Sequence, residues 1–152
     1  MENFNDDITI FRYEYFFLSN FFPCVITIDG ITYSSSEAAF QAQKTTDLSI
    51  REEFAGITPA QAKLKGKNVK LRCDWETNKL SIMEYIIRQK FLQNDYLRDK
   101  LLETGERNLI EMNNWNDTFW GVSKRTGQGE NHLGKILMKV RDELNGKIQI
   151  DT

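Results

Sequence analysis

The chain is poor in the residues that build metal sites and disulfides. Its 152 residues include one histidine, His132, and two cysteines, Cys24 and Cys73, which form no C-x-x-C pair. A structural zinc site usually needs four cysteine or histidine ligands, so three such residues cannot supply one. Thiols of a cytosolic chain normally stay reduced. We therefore expect no metal and no cofactor, and chemistry that depends on carboxylates, lysine, amides and aromatic rings.

Long apolar runs and excess positive charge are also missing. No stretch approaches the ~18 apolar residues that a membrane span requires, and the acidic start, Met-Glu-Asn-Phe-Asn-Asp-Asp, is unlike a signal peptide. We therefore expect a cytoplasmic protein. With 20 Lys and Arg against 22 Asp and Glu, the net charge of −2 gives no basic footprint for general coating of nucleic acid. Action on one modified nucleotide stays open.

The strand signals predict a small sheet. Ile8 to Phe11 is typical of a short first strand, and residues 108–112 favour another. Residues 25–28 and 31–33 are rich in β-branched side chains and flank Asp29-Gly30, a dipeptide that tolerates the positive φ of a two-residue hairpin turn. These signals predict a mostly antiparallel sheet.

Helix signals follow the hairpin. Ser34-x-x-Glu37 fits a capping box before residues 38–44, and Thr58-Pro59-x-Gln61 is a second helix start. Apolar residues at three- and four-residue spacing predict helices around 80–91, 97–102 and 133–144. Since the chain contains no linker, repeat or low-complexity tract, we expect one α+β domain over residues 1–152, with several helices packed on the small sheet.

The first predicted helix carries a stripe of chemically useful side chains. At 100° per residue, Gln41 lies about 40° from Glu37 around the helix, and Lys44 returns to within about 20° of it. In one interpretation Glu37 caps the helix while Gln41 and Lys44 are solvated. In the other, Glu37 activates a water and Lys44 holds a phosphate or a sugar.

Two polar loops carry further candidates. Asp117 precedes Phe119 and Trp120, so it either caps a turn while both rings fill the core, or it faces a sugar while Trp120 stacks on a base. The second loop, residues 127–135, resembles a glycine-rich turn before a helix N-terminus, which attracts anions. It follows no convincing strand, which argues against a Rossmann fingerprint. Its candidates for ligand contact are Gly129, Asn131 and Gly134, with an ordinary N-cap as the alternative for Asn131.

The remaining candidates are aromatic or lie among aromatic residues. Residues 16–22 set four phenylalanines around a Leu-Ser-Asn step. Core packing explains the rings but not Ser19 and Asn20, which need hydrogen-bond partners if they are buried. Phe21 could stack on a base. Trp75, which follows a basic run, either stacks on a base or packs in the core.

The order of these motifs along the chain resembles one family. The series runs Phe-Leu-Ser-Asn-Phe (17–21), Tyr-Ser-Ser-Ser-Glu-Ala-Ala-Phe-Gln-Ala-Gln-Lys (33–44), Trp75, Lys90-Phe91, Leu-Ile-Glu (109–111), Asp-x-x-Trp-Gly (117–121) and Gly-x-Asn-x-Leu-Gly-x-x-Leu-Met (129–138). It is similar to the NADAR family, which includes the YbiA-like N-glycosidases of riboflavin intermediates. The resemblance covers nearly the whole chain, from about residue 11 to 144.

The resemblance implies a small α+β enzyme that hydrolyses N-glycosidic bonds to ribose without a metal. Its substrates would be phosphoribosylated intermediates of riboflavin synthesis or ADP-ribosylated guanine, including guanine within DNA. The family's catalytic acids fall on Glu37 and Asp117, and its helix lysine falls on Lys44, which either binds a phosphate or forms a Schiff base with ring-opened ribose. The family's tryptophans fall on Trp75 and Trp120, and its amides fall on Asn20 and Asn131. Our further candidates for substrate contact are Ser19, Phe21, Gln41, Gly129 and Gly134.

Two departures from the riboflavin-type pattern leave the leaving base open. Ala38 stands where that subgroup usually has histidine, and the loop before Asp117 is one residue longer. Two other classes also stay open. One is a non-catalytic reader of ADP-ribose, and the other is a scaffold that uses the charged helices of residues 79–107.

Overall fold

The computed structural model describes residues 6–146. Their contacts form two compact units. Asn20–Asp95 form the first, called here the hairpin unit. The described residues of Met1–Ser19 and Tyr96–Thr152 form the second, called here the terminal unit.

The hairpin unit is built on the predicted β-hairpin, which is confirmed. Strand β1 (Pro23–Ile28) pairs antiparallel with β2 (Ile31–Ser35). Asp29 and Gly30 both have positive φ, 51° and 79°, as a type I′ turn requires. Alternate side chains along both strands are buried, so one face of the hairpin joins the core and the other faces solvent.

Helix α1 (Ser36–Ala42) follows β2 directly, and its predicted capping box is wrong by one residue. Ser35, not Ser34, is the N-cap, and its hydroxyl accepts a hydrogen bond from the backbone N–H of Ala38 at 3.1 Å. The alternation of β2 buries Ser35 and turns Ser34 outward, where its hydroxyl donates to the carbonyl of Ile57. Glu37 therefore occupies the second helical position rather than the third, where a capping-box glutamate belongs.

Three further helices complete the hairpin unit. They are α2 (Leu48–Glu52), α3 (Pro59–Gly66) and α4 (Trp75–Gln93). The capping box predicted at Thr58 is confirmed, with both reciprocal hydrogen bonds to Gln61 present. Helix α1 packs against α3 and α4, and α4 also packs against β1. The core between them includes Ile26, Tyr33, Phe40, Met83, Ile86, Ile87 and Phe91.

The terminal unit contains a 3₁₀ helix and short strands. Its elements are the 3₁₀ helix (Tyr13–Leu18), α5 (Asp95–Glu103), β3 (Met112–Asn113), β4 (Val122–Ser123) and α6 (His132–Leu144). Helix α5 begins at Asp95, the last residue of the hairpin unit, and continues in the terminal unit. Strands β3 and β4 pair in parallel over two residues each. The longer hairpin makes the described sheet structure mostly antiparallel, and the α+β class is confirmed.

The two predicted strands of the terminal unit are largely absent. Ile8 makes one parallel bridge, to Leu109, instead of a strand over 8–11. Beyond that bridge, the side-chain amide of Asn131 bonds the carbonyl of Leu109 and the N–H of Glu111. A side chain therefore takes backbone groups that a longer ladder would need, and of residues 108–112 only Met112 lies in a strand.

The periodic helices are confirmed, as α4, α5 and α6. Helix α6 buries Leu133, Ile136, Leu137 and Val140 on one face, and Gly146 follows it with a φ of 73°. Across residues 6–146, none of the helices combines the length and the apolar character needed to cross a membrane.

A fully buried lysine lies at the centre of the hairpin unit. Lys90 of α4 has no exposed surface, and its Nζ lies 5.4 Å from the centroid of the Phe91 ring. Burial lowers the pKa of Lys90 to about 8, which the charge of the Cys24 thiolate partly opposes. Burial also raises the pKa of the Cys24 thiol. The folded state therefore disfavours the charged form of both groups.

We predict that Lys90 makes the protein more stable as pH rises from about 8 towards 10.5. In that window the unfolded chain still binds the lysine proton while the folded chain has lost it, so the free energy of unfolding increases with pH. Relative to Lys90→Met, the wild type should gain up to roughly 3 kcal/mol across the window. Urea unfolding of both proteins at several pH values measures this, with Cys24→Ala separating the thiol's contribution. Parallel pH curves for wild type and Lys90→Met would contradict the prediction.

Candidate functional site

The stripe predicted on α1 forms a buried hydrogen-bonded pair. Glu37 and Gln41 are each only 7% exposed, and the Gln41 amide Nε2 donates to Glu37 Oε1 at 2.9 Å. The interpretation in which Glu37 caps the helix and Gln41 is solvated is therefore wrong. A carboxylate this deeply buried needs donors, and Gln41 supplies one of them.

Lys44 lies just beyond α1, whose C-cap is Gln43. Its side chain is half-buried, and its Nζ donates to the carbonyl of Gly66 in α3 at 3.3 Å. Burial lowers the pKa of Lys44, and the charge of Lys67 acts in the same direction, while the charge of Glu37 opposes both. The hairpin unit thus brings together a buried acid, an amide and a lysine that loses its proton more readily than a solvated one.

Asn20 organises the start of α1. Its backbone carbonyl accepts the N–H of Glu37 at 3.0 Å, and its side-chain Oδ1 accepts the Ser36 hydroxyl at 2.9 Å. Its Nδ2 lies 3.6 Å from the sulfur of Met83. These are the partners that a buried amide among phenylalanines requires. They fix the backbone of Glu37 and engage the amide predicted to contact substrate.

The aromatic candidates of the hairpin unit separate by exposure. Phe21 is 36% exposed, and the Nζ of Lys63 lies 5.9 Å from its ring centroid. Trp75 is 6% exposed, with its ring centroid 5.2 Å from that of Phe40. This geometry favours the core-packing alternative for Trp75 and leaves Phe21 as an accessible ring. Ser19, in the terminal unit, is half-buried and donates its N–H to the carbonyl of Phe16.

A second group of candidates surrounds Asp117 in the terminal unit. The carboxylate oxygen Oδ1 accepts the backbone N–H groups of Phe119 at 3.1 Å and of Trp120 at 2.9 Å. The turn-capping interpretation of Asp117 is therefore realised. Phe119 and Trp120 are only half-buried and meet edge to face at 4.8 Å, so they do not simply fill the core.

The side chain of Asn113 holds the Asp117 loop through two hydrogen bonds to its backbone. Its Nδ2 donates to the Asp117 carbonyl and its Oδ1 accepts the Asp117 N–H, both at 2.9 Å. Asn113 is almost fully buried on β3, whereas Asp117 is half-buried, so the clamp joins the exposed loop to the interior of the terminal unit. The carboxylate of Asp117 is thereby positioned both through its own side chain and through its backbone.

The glycine-rich loop is packed tightly against protein atoms. A Cβ at Gly129, where φ is 154°, would collide with the backbone of Gly121 and lie 2.7 Å from the Cα of Val122. A Cβ at Gly134 would collide with the Leu109 carbonyl and the Asn131 amide. Close packing within the terminal unit thus explains both glycines, and their predicted contact with substrate stays a prediction.

Asn131 is not an ordinary N-cap. It precedes α6 in the left-handed region, with φ of 53°, and its side chain makes no capping hydrogen bond. Instead its Oδ1 accepts from Glu111 at 2.9 Å and its Nδ2 donates to Leu109 at 3.0 Å. The N-cap alternative is therefore wrong for the side chain, which braces the neighbouring backbone.

The single histidine lies near the aromatic rings of the Asp117 loop. His132 lies beside Phe119 and Trp120, and its Nε2 is 3.1 Å from Glu130 Oε2. Within residues 6–146, no three His, Cys, Asp or Glu side chains gather as metal ligands would.

Comparison with known proteins matches the sequence of this chain to one family. The sequence model of the NADAR domain matches residues 9–145, which is most of the chain. The chain belongs to the NADAR domain family. Its candidate acids, Glu37 and Asp117, both lie inside the matched region.

Individual relatives agree with that assignment. N-glycosidase YbiA of Shigella boydii is 40% identical over 134 residues, covering 86% of this chain and 82% of the relative. An N-glycosidase of Nostoc punctiforme is 36% identical over 153 residues, covering 94% and 97%. A riboflavin biosynthesis protein of Vibrio vulnificus is 42% identical over 131 residues. The match covers 84% of this chain but only 35% of that longer protein. The NMR structure of E. coli YbiA matches 96% of this chain and 88% of its own, with a TM-score of 0.80 and 35% identity.

Two supporting residues of this NADAR chain were not predicted from the sequence. Asn113 clamps the Asp117 loop, and the carbonyl of Gly66 accepts a hydrogen bond from Lys44. Their partners lie 4 and 22 positions away in the chain, and neither a buried asparagine nor a helical glycine has a distinctive local pattern. Only the tertiary structure reveals them.

We predict that Asn113→Ala loosens the Asp117 loop. Both backbone hydrogen bonds to Asp117 disappear, so the free energy of unfolding should fall by about 1–3 kcal/mol. Amide exchange at Asp117 should quicken at least ~10-fold, because the loop opens locally more often. Hydrogen-exchange NMR and chemical denaturation measure the two effects, with exposed Asn114→Ala as the matched control. Equal exchange at Asp117 in both variants would show that the clamp has no effect.

Proposed function

We propose that this NADAR protein hydrolyses the N-glycosidic bond between a phospho- or ADP-ribose and a nucleobase-like group, without a metal. The enzyme class follows from the family. The chain is an N-glycosidase, a hydrolase acting on N-glycosyl compounds, like the relatives in Shigella boydii and Nostoc punctiforme that it matches over most of their length. We assign the activity to a single functional domain acting in the cytoplasm.

The buried Glu37–Gln41 pair carries the proposal. Cleavage of a ribosyl C1–N bond passes through an oxocarbenium-like centre, which a nearby carboxylate stabilises or supplies with an activated water. Glu37 is such a carboxylate, since it is buried, held at 2.9 Å by Gln41, and close enough to Lys44 for its charge to act there. An inert reader has no need of a buried acid arranged in this way.

Asp117 is the second acid of the proposal. Two backbone N–H groups hold its Oδ1 in one orientation, and the ring of Trp120 lies three residues along the same loop. A fixed carboxylate is suited to binding ribose hydroxyls or to stabilising a positive charge that develops on the ribose. Of the three candidate rings, Trp75 is buried, whereas Phe21 is 36% exposed and Trp120 is half-buried, so Phe21 and Trp120 are proposed as rings that contact a base.

Lys44 is proposed as an amine nucleophile rather than a phosphate ligand. Burial lowers its pKa, so a larger fraction is neutral at a given pH than for a solvated lysine. The neutral Nζ would attack ribose C1 while the base departs with the electrons of the C1–N bond and a proton. Opening of the ribose ring gives an imine, which water hydrolyses to release ribose and regenerate the lysine.

The identity of the leaving base rests on the relatives' names. The similarity to a riboflavin biosynthesis protein favours an intermediate of riboflavin synthesis, for which we propose a free phosphoribosylated pyrimidine. Ala38 and the longer loop before Asp117 keep ADP-ribosylated guanine as the second candidate substrate, either free or in DNA. The two substrates differ in both base and phosphate content.

We predict that Glu37→Gln and Asp117→Asn each lower kcat at least ~100-fold while melting temperatures change little. Loss of a positioned acid or base typically costs 10²–10⁴ in rate. The assay is mass spectrometry of base release from ADP-ribosylated guanine in a DNA oligomer and from a phosphoribosylaminopyrimidine. The control is Glu52→Gln, an exposed carboxylate on α2.

The outcomes separate the functions. If the wild type releases the base from either substrate and both variants lose this activity, the proposal is supported and the substrate class is identified. A wild-type rate in either variant refutes that residue's role. Absence of release from both substrates, with ADP-ribose raising the melting temperature, makes the protein a reader.

We predict that Lys44 forms a covalent adduct with ribose during turnover. Cyanoborohydride should trap it as a secondary amine, adding the mass of the ribosyl group to the peptide containing Lys44. Because the neutral amine reacts, the single-turnover rate should rise with pH and reach its plateau below the range of a solvated lysine. Lys44→Arg keeps the charge but cannot form the imine. Lys44 is a phosphate ligand instead if Lys44→Arg retains turnover and if substrate binding by the wild type weakens with rising pH.

A further inference from the structure

The last residue of α3, Gly66, lies directly against the Gln41 side chain. A Cβ placed on Gly66 would be 2.7 Å from Gln41 Cδ and 3.3 Å from its Cβ, and it would collide outright with Oε1. Real Cβ atoms do not approach that closely, so any other residue would force Gln41 to move. Gly66 is fully helical, and alanine would have the higher helix propensity there. Space for Gln41 is therefore what this position requires.

The amide of Gln41 is held at one end by a hydrogen bond and at the other end by packing against Gly66. Its Nε2 donates to Glu37, and its Oε1 is buried with no hydrogen-bond partner among the described residues. Buried acceptors without partners are uncommon and often occur at functional sites. The alternative amide orientation would set an oxygen against the Glu37 carboxylate. Packing against Gly66 and the bond to Glu37 thus define one position for the side chain.

Gly66 also contacts the third member of the stripe. Its carbonyl accepts the hydrogen bond from Lys44 Nζ at 3.3 Å. One glycine therefore supports Gln41 through its missing side chain and Lys44 through its backbone. Since α1 and α3 pack on each other, a small shift at this point is passed to both.

We propose that Gly66 and Gln41 are positioning residues for Glu37, with Gly66 acting through the Gln41 amide. Neither needs to touch the substrate. This replaces the expected substrate contact of Gln41 with a supporting role, and its catalytic consequence rests on the proposed N-glycosidase function. The structural part, in which Gly66 sets Gln41 and Gln41 sets Glu37, stands apart from any activity.

The inference has a distinctive consequence for Glu37. Gln41 donates to the ionised carboxylate, and the loss of such a donor disfavours the charged form. The charge of Lys44 also acts on Glu37, and Lys44 is retained in these variants. A methyl group at Gly66 should therefore shift the titration of Glu37 to higher pH, as removal of the Gln41 amide does.

We expect Gly66→Ala and Gln41→Ala each to lower kcat about 10- to 100-fold with KM changed less, since misplacement of a catalytic group mainly affects the transition state. The double variant should be no slower than Gln41→Ala, because the colliding side chain is gone. Carbon-13 NMR of the Glu37 carboxyl should show the titration midpoint raised in all three variants. Lys65→Ala is the control on α3, since Lys65 pairs with Glu53 at the surface.

The outcomes keep the inference separate from the function. Additive losses in the double variant, or a Glu37 midpoint that Gly66→Ala leaves unchanged, would overturn it. If wild type cleaves neither substrate, the proposed function fails, while the titration still decides the positioning. If Gly66→Ala does not fold, the double variant decides. If the double variant has the melting temperature of Gln41→Ala, the inference is supported. If the double variant also fails to fold, Gly66 serves only the backbone packing and the inference is wrong.

Discussion

The structure of the hairpin unit depends on the complete burial of a short polar helix. All seven residues of α1 are buried, although three of them are polar. Buried polar residues need hydrogen bonds, and each of the three makes at least one: Ser36 donates to Asn20, and Gln41 donates to Glu37. The hairpin, α3 and α4 surround this helix, and their packing keeps Glu37 out of bulk water while leaving it bonded. The chemistry proposed for Glu37 follows from that burial.

Side-chain amides perform much of the work that backbone ladders perform elsewhere. Asn113 clamps both backbone groups of Asp117, and Asn131 takes the backbone groups of Leu109 and Glu111. Gln93 of α4 bonds both the N–H and the carbonyl of Thr27 on β1. With so little sheet in the described chain, these amides satisfy backbone groups that would otherwise lack partners. They also hold loops in shapes that regular strands could not provide.

Lys44 and Lys90 of the hairpin unit show how burial assigns different roles to one residue type. Lys90 is fully buried on α4 and its pKa falls to about 8, whereas Lys44 is half-buried and remains within reach of the charge of Glu37. Desolvation lowers the pKa of both. Only Lys44 lies beside a candidate catalytic acid, and this separates a lysine suited to chemistry from one embedded in the core.

The sequence by itself determined the elements with strong local causes. The Asp29-Gly30 turn, the Thr58 capping box and the periodic helices α4 to α6 all formed where predicted, because turn conformation, capping and amphipathic spacing act over a few residues. The motif order likewise identified the family, and the helical spacing of Glu37 and Gln41 predicted that they share a face. Tertiary structure decided what depends on distant partners. It moved the N-cap from Ser34 to Ser35, reduced the Ile8 strand to one bridge, gave the Asn131 side chain to Leu109 and Glu111, and set Gly66 against Gln41. Burial and close packing between segments far apart in the chain cause these outcomes, and no local pattern encodes them.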